Sequence, residues 1–385
     1  MAARSVATKY LLLTIIVLCS IYWFQRLSRQ SINEITEDWR TELTTQNGKS
    51  AAEEIPSVKL QGPSSPHNEG LQNNLPEHAS SPLLPEGYTA AFPRHIWQTS
   101  SEAGRVRYAN QSQTWKNTKG FAYHWLSDTE ADDFVEQTFA KSRPSLLRFW
   151  NELSGRSEHQ PVRQKNQSSA HTDPTAVVDS TASSSIVPRA DLLRYMLMFA
   201  NGGVYADIDT STLLHVDRWI PEQLGAQMIN AIIGIEYDDT TYKMFVRPIS
   251  FCQWTLMSKP GHQIFERAMN RVVSNLEFLA RRQKISSLSQ LKLDKLDVLE
   301  ATGPGMISDV ILEVIQDQLP DQNITWETFH DQREGKLFGD VLILPINAFA
   351  GNQKHSHAGN PNYGEKLVQH HFGRSWYQPE KAKIT

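Results

Sequence analysis

The stretch "RADLLRYMLMFANGGVYADIDTSTL", residues 189–213, constrains the fold more than any other. Leu192, Tyr195 or Met196, and Phe199 recur at helical spacing and predict a core-facing stripe, with Pro188 in the first turn of the helix. Asn201-Gly202-Gly203 ends that helix with residues that tolerate positive φ. The pattern then changes to period two: Val204, Ala206 and Ile208 fall on one face of a strand, and Tyr205, Asp207 and Asp209 on the other. A first strand is expected at His95 to Gln98, and further strands at "AIIGIE" and "DVLILPI". Phe265, Met269, Val272, Leu276 and Leu279 mark another amphipathic helix. The mixture predicts an α/β fold.

The acidic pair in this unit points to chemistry. Side chains at i and i+2 of a strand share a face, so the carboxylates of Asp207 and Asp209 lie close and repel unless a cation intervenes. Oxygen ligands suit Mg²⁺ or Mn²⁺, which keep open positions for substrate phosphates. The plainer reading is a solvated strand end, because D-x-D is a common triplet. Asp191 and Arg194, at i and i+3 of the helix that leads into the strand, add an acid and a cation near that metal. Their plainer reading is a surface ion pair of little energetic value.

The remainder of the chain sets the context. Tyr10 to Phe24 is an uncharged apolar run, and extending it back to Val6 includes only Lys9, which brings it near the length needed to cross a bilayer. No small-x-small cleavage site follows, so an uncleaved signal anchor is favoured over a removed signal peptide. The expected layout is a cytoplasmic tail at 1–9, an anchor at 10–24 (or 6–24), a flexible lumenal stem at 25–87 and a catalytic domain at 88–385. Arg40 to Gly87 holds no Phe, Trp or Tyr and cannot bury enough apolar surface to order itself. Ser154 to Ser185 reads as a low-complexity surface insertion. With 38 Lys+Arg against 42 Asp+Glu, charge gives no argument for nucleic acid as a partner. Cys252 is the one cysteine outside the apolar run, which excludes an intramolecular disulfide in the soluble part. Sequons stand at Asn110, Asn166 and Asn323. The short anchor suits a thin membrane and points to the Golgi.

In order along the chain, "FPRHIWQTS", the residue 189–213 stretch, "YKMFVRPISFCQWTLMSKPGHQIF", "EATGPGMISDVI", "DVLILPINAFA" and "LVQHHFGRSW" resemble glycosyltransferase family 32, which includes the fungal Golgi initiation-specific α-1,6-mannosyltransferases; the resemblance covers residues 92–377. It implies a GT-A fold, GDP-mannose as donor, Mn²⁺ or Mg²⁺ as cofactor, an N-glycan or glycoprotein acceptor, and retention of anomeric configuration. It also implies a single-pass type II membrane protein, with a Golgi mannosyltransferase complex as a partner assembly. The expected catalytic residues are Asp191, Arg194, Asp207 and Asp209. Asp209 would ligate the metal and Asp207 the metal or the ribose. Asp191 and Arg194 would hold the donor sugar, with Arg194 also neutralising the departing diphosphate.

The same resemblance places Trp97 and Gln98 near the nucleotide, against the alternative of a plain core strand. It brings the backbone of Gly303 and Gly305 near phosphate or sugar, against the alternative of an ordinary helix-entry turn. It gives His370 as the residue completing the metal shell, and Arg247, Gln253 and Trp254 as the shapers of an acceptor cleft. A sphingolipid or mannan-chain acceptor, a noncatalytic glycan-binding subunit and a metal-dependent hydrolase are the competing readings. No carboxylate nucleophile is evident, which leaves same-face substitution and double displacement both open.

Overall fold

The computed structural model describes residues 91–156, 183–224, 228–239 and 246–373, which belong to a compact unit spanning Asn74–Thr385. The expected anchor and stem, and all but the edges of the 154–185 insertion, lie outside the described residues. No helix among the described residues is long and apolar enough to cross a membrane.

The strands are β1 (His95–Thr99), β2 (Ala122–Leu126), β3 (Gly203–Ala206), β4 (Thr210–Thr212), β5 (Ala231–Asp238), β6 (Ile249–Ser258), β7 (Lys336–Phe338), β8 (Val341–Leu344) and β9 (Val368–His370). Seven of them form one sheet in the order β2-β1-β3-β6-β5-β8-β7, while β4 and β9 form a separate pair. Only β6 and β7 run against the other five strands of the large sheet. Almost every residue of β5 and β6 is buried, so helices and loops cover both faces of the sheet there. The result is the mixed α/β architecture expected from the sequence.

β1 is flanked on one side by β2 and on the other by β3. The chain therefore leaves β1 in one direction and returns on the opposite side through the Ser183–Ala200 helix. A reversal of this kind opens a crevice at the carboxyl ends of the strands, where α/β proteins bind ligands.

That helix departs from expectation in two ways. It begins at Ser183, so Pro188 lies inside it and not in its first turn. Asp191 through Met198 are all buried, in place of a single core-facing stripe. The reason is its position: it packs on β3 and on the Gln263–Gln283 helix, which packs in turn on the Pro304–Gln318 helix. The five apolar residues read from Phe265 to Leu279 are all buried in that layer.

Gly202 and Gly203 do more than stop the helix. Both have positive φ, +61° and +85°. A Cβ on Gly202 would lie 2.6 Å from the Ser258 carbonyl oxygen, and one on Gly203 would lie 2.5 Å from that of His95. Glycine is required here for both the backbone angle and the close approach of β3 to its neighbours.

Candidate active site

β3 ends at Ala206, so Asp207 and Asp209 occupy a turn and not the strand face that period two predicts. The turn is tightly held. The Asp207 amide donates to the Trp254 carbonyl (2.8 Å), and its carbonyl accepts from the Gln98 side-chain amide (3.0 Å) and the Thr210 hydroxyl (2.6 Å). β4 follows at once and pairs with β9, setting Thr210 opposite His370. The His371 amide donates to the Asp209 carbonyl (2.9 Å), which fixes the β9 end against the turn. Asp207, Asp209 and His370 thereby offer one ligand atom each, all within 4.8 Å of one another.

Arg194 is buried beside this group and bridges two acids. It donates to Asp191 at 2.5 Å and to Asp207 at 3.2 Å. The surface ion pair is therefore the wrong alternative: side-chain exposure of Arg194 and Asp191 is 6% and 3%. Asp191 is held further by the Thr302 hydroxyl (2.7 Å), and Asp207 by the Tyr205 hydroxyl (2.8 Å). Burial pushes the Asp191 carboxyl up to about 6, against the opposing pull of Arg194. Burial also raises Asp207, which Arg194 opposes and Asp209 reinforces. For Asp209 burial acts in the same direction, but the hydrogen bond and charge of His370 and the Gly373 amide outweigh it and lower its pKa.

The residues present fit a hard divalent cation. The two carboxylates suit Mn²⁺ or Mg²⁺, and the imidazole favours the transition metal Mn²⁺ of the two. His370 Nε2 already faces Asp209 Oδ1 at 3.2 Å, while its buried Nδ1 has no partner. Arg194 Nε and Trp254 Nε1 are likewise buried and unpartnered. The His370 ring is fixed between Trp254 and Phe372, with centroids 4.1 and 4.2 Å away. The three unpartnered atoms leave hydrogen-bonding capacity beside the cluster.

Other predicted site residues act indirectly. Gln98 is fully buried and orients the Asp207 backbone, with Tyr123 donating to its other end at 2.9 Å. Trp97 stacks on His124 and donates its indole N–H to the Gly202 carbonyl (3.0 Å), so it secures the helix end. The Gly303 amide is already engaged within the fold. It donates to Val298, and a Cβ on Gly305 would lie 2.9 Å from Val246 and 3.0 Å from the Leu299 carbonyl. Both serve the close packing of the Pro304–Gln318 helix on the Lys295–Ala301 helix. Arg247 is not in an acceptor cleft: it is 2% exposed and forks onto Glu300 and Asp309. Gln253 accepts from Tyr195 at 2.8 Å, and Trp254 walls His370.

Sequence reasoning gave Tyr205 no role, named Thr302 only as the first residue of the turn that runs to Gly305, and missed Gly373. Tyr205 shares the period-two face of Asp207, a signal that was available. Thr302 and Gly373 reach the site from more than 100 residues away, and no local pattern announces them.

Residues 105–226, which hold the helix, the double glycine and the acidic turn, match the family described as glycosyltransferase sugar-binding region containing DXD motif. The chain carries a DXD glycosyltransferase domain. The transferase is 29% identical over 313 residues to the initiation-specific alpha-1,6-mannosyltransferase of Schizosaccharomyces pombe, covering 80% of this chain and 69% of that protein. It is 25% identical to the protein of the same name in Candida albicans, covering 76% of this chain and 74% of that one. HOC1 of Saccharomyces cerevisiae is 28% identical over 67% of this chain and 59% of its own length.

Proposed function

We propose that the transferase is a metal-dependent, retaining enzyme of GT-A type that moves mannose from GDP-mannose to an N-glycan core in α-1,6 linkage. We place it in the Golgi membrane, anchored through residues 10–24 with the catalytic domain lumenal. The observation that carries the reading is the convergence of Asp207, Asp209 and His370 beside a buried, doubly paired Arg194. The names of the similar mannosyltransferases support the choice of sugar and linkage.

In this reading Asp207, Asp209 and His370 hold Mn²⁺ or Mg²⁺, which supplies neutralisation of the diphosphate. The chain's own residues do the rest. Arg194 is kept charged and immobile by Asp191 and Asp207, so no reorganisation is needed when charge develops on the leaving diphosphate. Asp191, locked by Thr302, offers the donor sugar a fixed hydrogen-bonding edge. The bond from mannose C1 to the diphosphate oxygen breaks, one from the acceptor oxygen forms, and the acceptor's proton leaves with the diphosphate.

The test is transfer of labelled mannose by the detergent-solubilised full-length chain to a panel of a high-mannose N-glycan, α-mannobiose and a ceramide acceptor. Transfer to the N-glycan, giving a product cleaved by α-1,6-mannosidase, supports the proposal. Transfer only to another acceptor rejects the N-glycan assignment. Release of free mannose without an acceptor makes the chain a hydrolase.

A further inference from the structure

Glu236 lies on β5, separated from β3 by β6 alone, and strands two apart are roughly 10 Å from each other. The pairing between β5 and β6 is irregular at this point. Ile233 opposes Leu256, but Ile235 opposes Phe251, so four residues of β6, Cys252 to Thr255, face the single Gly234. Bulges of this kind re-aim side chains and are common beside active sites. This one presents Trp254 to His370, Gln253 to Tyr195, and the Trp254 carbonyl to the Asp207 amide. Glu236 lies two residues beyond Gly234 on β5, at a second register shift, between Ile235 opposite Phe251 and Tyr237 opposite Ser250.

Its carboxyl is only partly exposed, yet it has no hydrogen bond or ion pair among the described residues. Its charge is felt by Cys252, and it feels those of Asp207 and Arg194. Glu300, by contrast, is paired with Arg247. Burial, reinforced by Asp207 and opposed by Arg194, pushes the Glu236 carboxyl up to about 8. The shift favours the protonated carboxyl, which can both donate and accept. Sugar hydroxyls also donate and accept, and they are the natural complement of such a group.

We propose that Glu236 is a sugar-binding residue of the transferase site, hydrogen-bonding hydroxyls of the transferred sugar from the β5 side of the crevice. The inference rests on the reading of the site as one for a nucleotide sugar.

Calorimetric binding of GDP and of GDP-mannose, each with Mn²⁺, to the full-length wild type, Glu236→Ala and Glu236→Gln tests it. Glu236→Ala is expected to weaken GDP-mannose about tenfold while leaving GDP within about twofold, as the loss of a substrate hydrogen bond implies. Glu236→Gln keeps a donor and an acceptor and is expected to stay within about threefold of wild type for both. Melting temperatures confirm that each variant is folded. The inference is overturned if Glu236→Ala binds GDP-mannose normally or weakens both ligands equally. It is also overturned if Glu236→Gln is as defective as Glu236→Ala, because charge would then be the requirement. A wild type that binds neither ligand would overturn the donor assignment, and this inference with it.

Discussion

Asp207 and Asp209 stand one residue apart, yet their environments push them in opposite directions. Asp207 is raised by burial and by its acidic neighbour, whereas Asp209 is lowered by His370 and the Gly373 amide. Glu236 extends the contrast, because burial favours its protonated form. Its carboxyl titrates ordinarily at 4.5 and is pushed up to about 8 by folding. That contribution to stability is fully present below pH 4.5 and is lost as pH rises through about 8. Glu236→Gln has nothing to ionise, so it should melt above wild type at pH 8.5, with the gap closing near pH 4.5. A difference in melting temperature that does not change with pH would contradict the sign. At this scale the acids and Arg194 were legible, because D-x-D and the i, i+3 pair are local patterns. Glu236 was not: it reads as the polar end of the apolar run "AIIGIE".

Elements carry the site by being held close, and two substitutions probe this. Gly203→Ala forces a side chain into positive φ and within 2.5 Å of the His95 carbonyl oxygen. The strain alone is worth about 1–3 kcal/mol, so urea unfolding should show at least that loss. Arg247 ties the entry to β6 to the Pro304–Gln318 helix through Asp309 and to the Lys295–Ala301 helix through Glu300, which is only 3% exposed at its side chain. Arg247→Ala would leave Glu300 buried and unpaired, at a cost of about 3–5 kcal/mol. Unchanged stability with a raised KM for acceptor would instead return Arg247 to the acceptor cleft. The sequence could not separate these roles, because "RPISFCQW" shows an arginine beside an apolar strand and says nothing of its distant acids. Helix existence and strand existence were readable from period; that β3 ends one residue before Asp207 was not, since the turn is fixed by Gln98, Thr210 and Trp254.

Across the whole molecule, the site is a product of topology. The switch around β1 opens the crevice, and the pairing of β4 with β9 delivers His370 to Asp209, 161 residues earlier. The sequence offered His370 only through family resemblance, because a lone His-His step has no local meaning. Ligation by the acidic pair together with the distant His370 predicts that Mn²⁺ with GDP raises the melting temperature of wild type, and that His370→Ala reduces the shift. An equal shift in the variant would remove His370 from the metal shell. The account as a whole is tested most directly by transfer of labelled mannose from GDP-mannose to a high-mannose N-glycan, comparing wild type with Asp209→Ala, with and without EDTA. The predicted result is metal-dependent transfer by wild type, abolished by EDTA, and no transfer by a variant whose circular dichroism is unchanged. Normal turnover by folded Asp209→Ala, or wild-type transfer unaffected by EDTA, would contradict it.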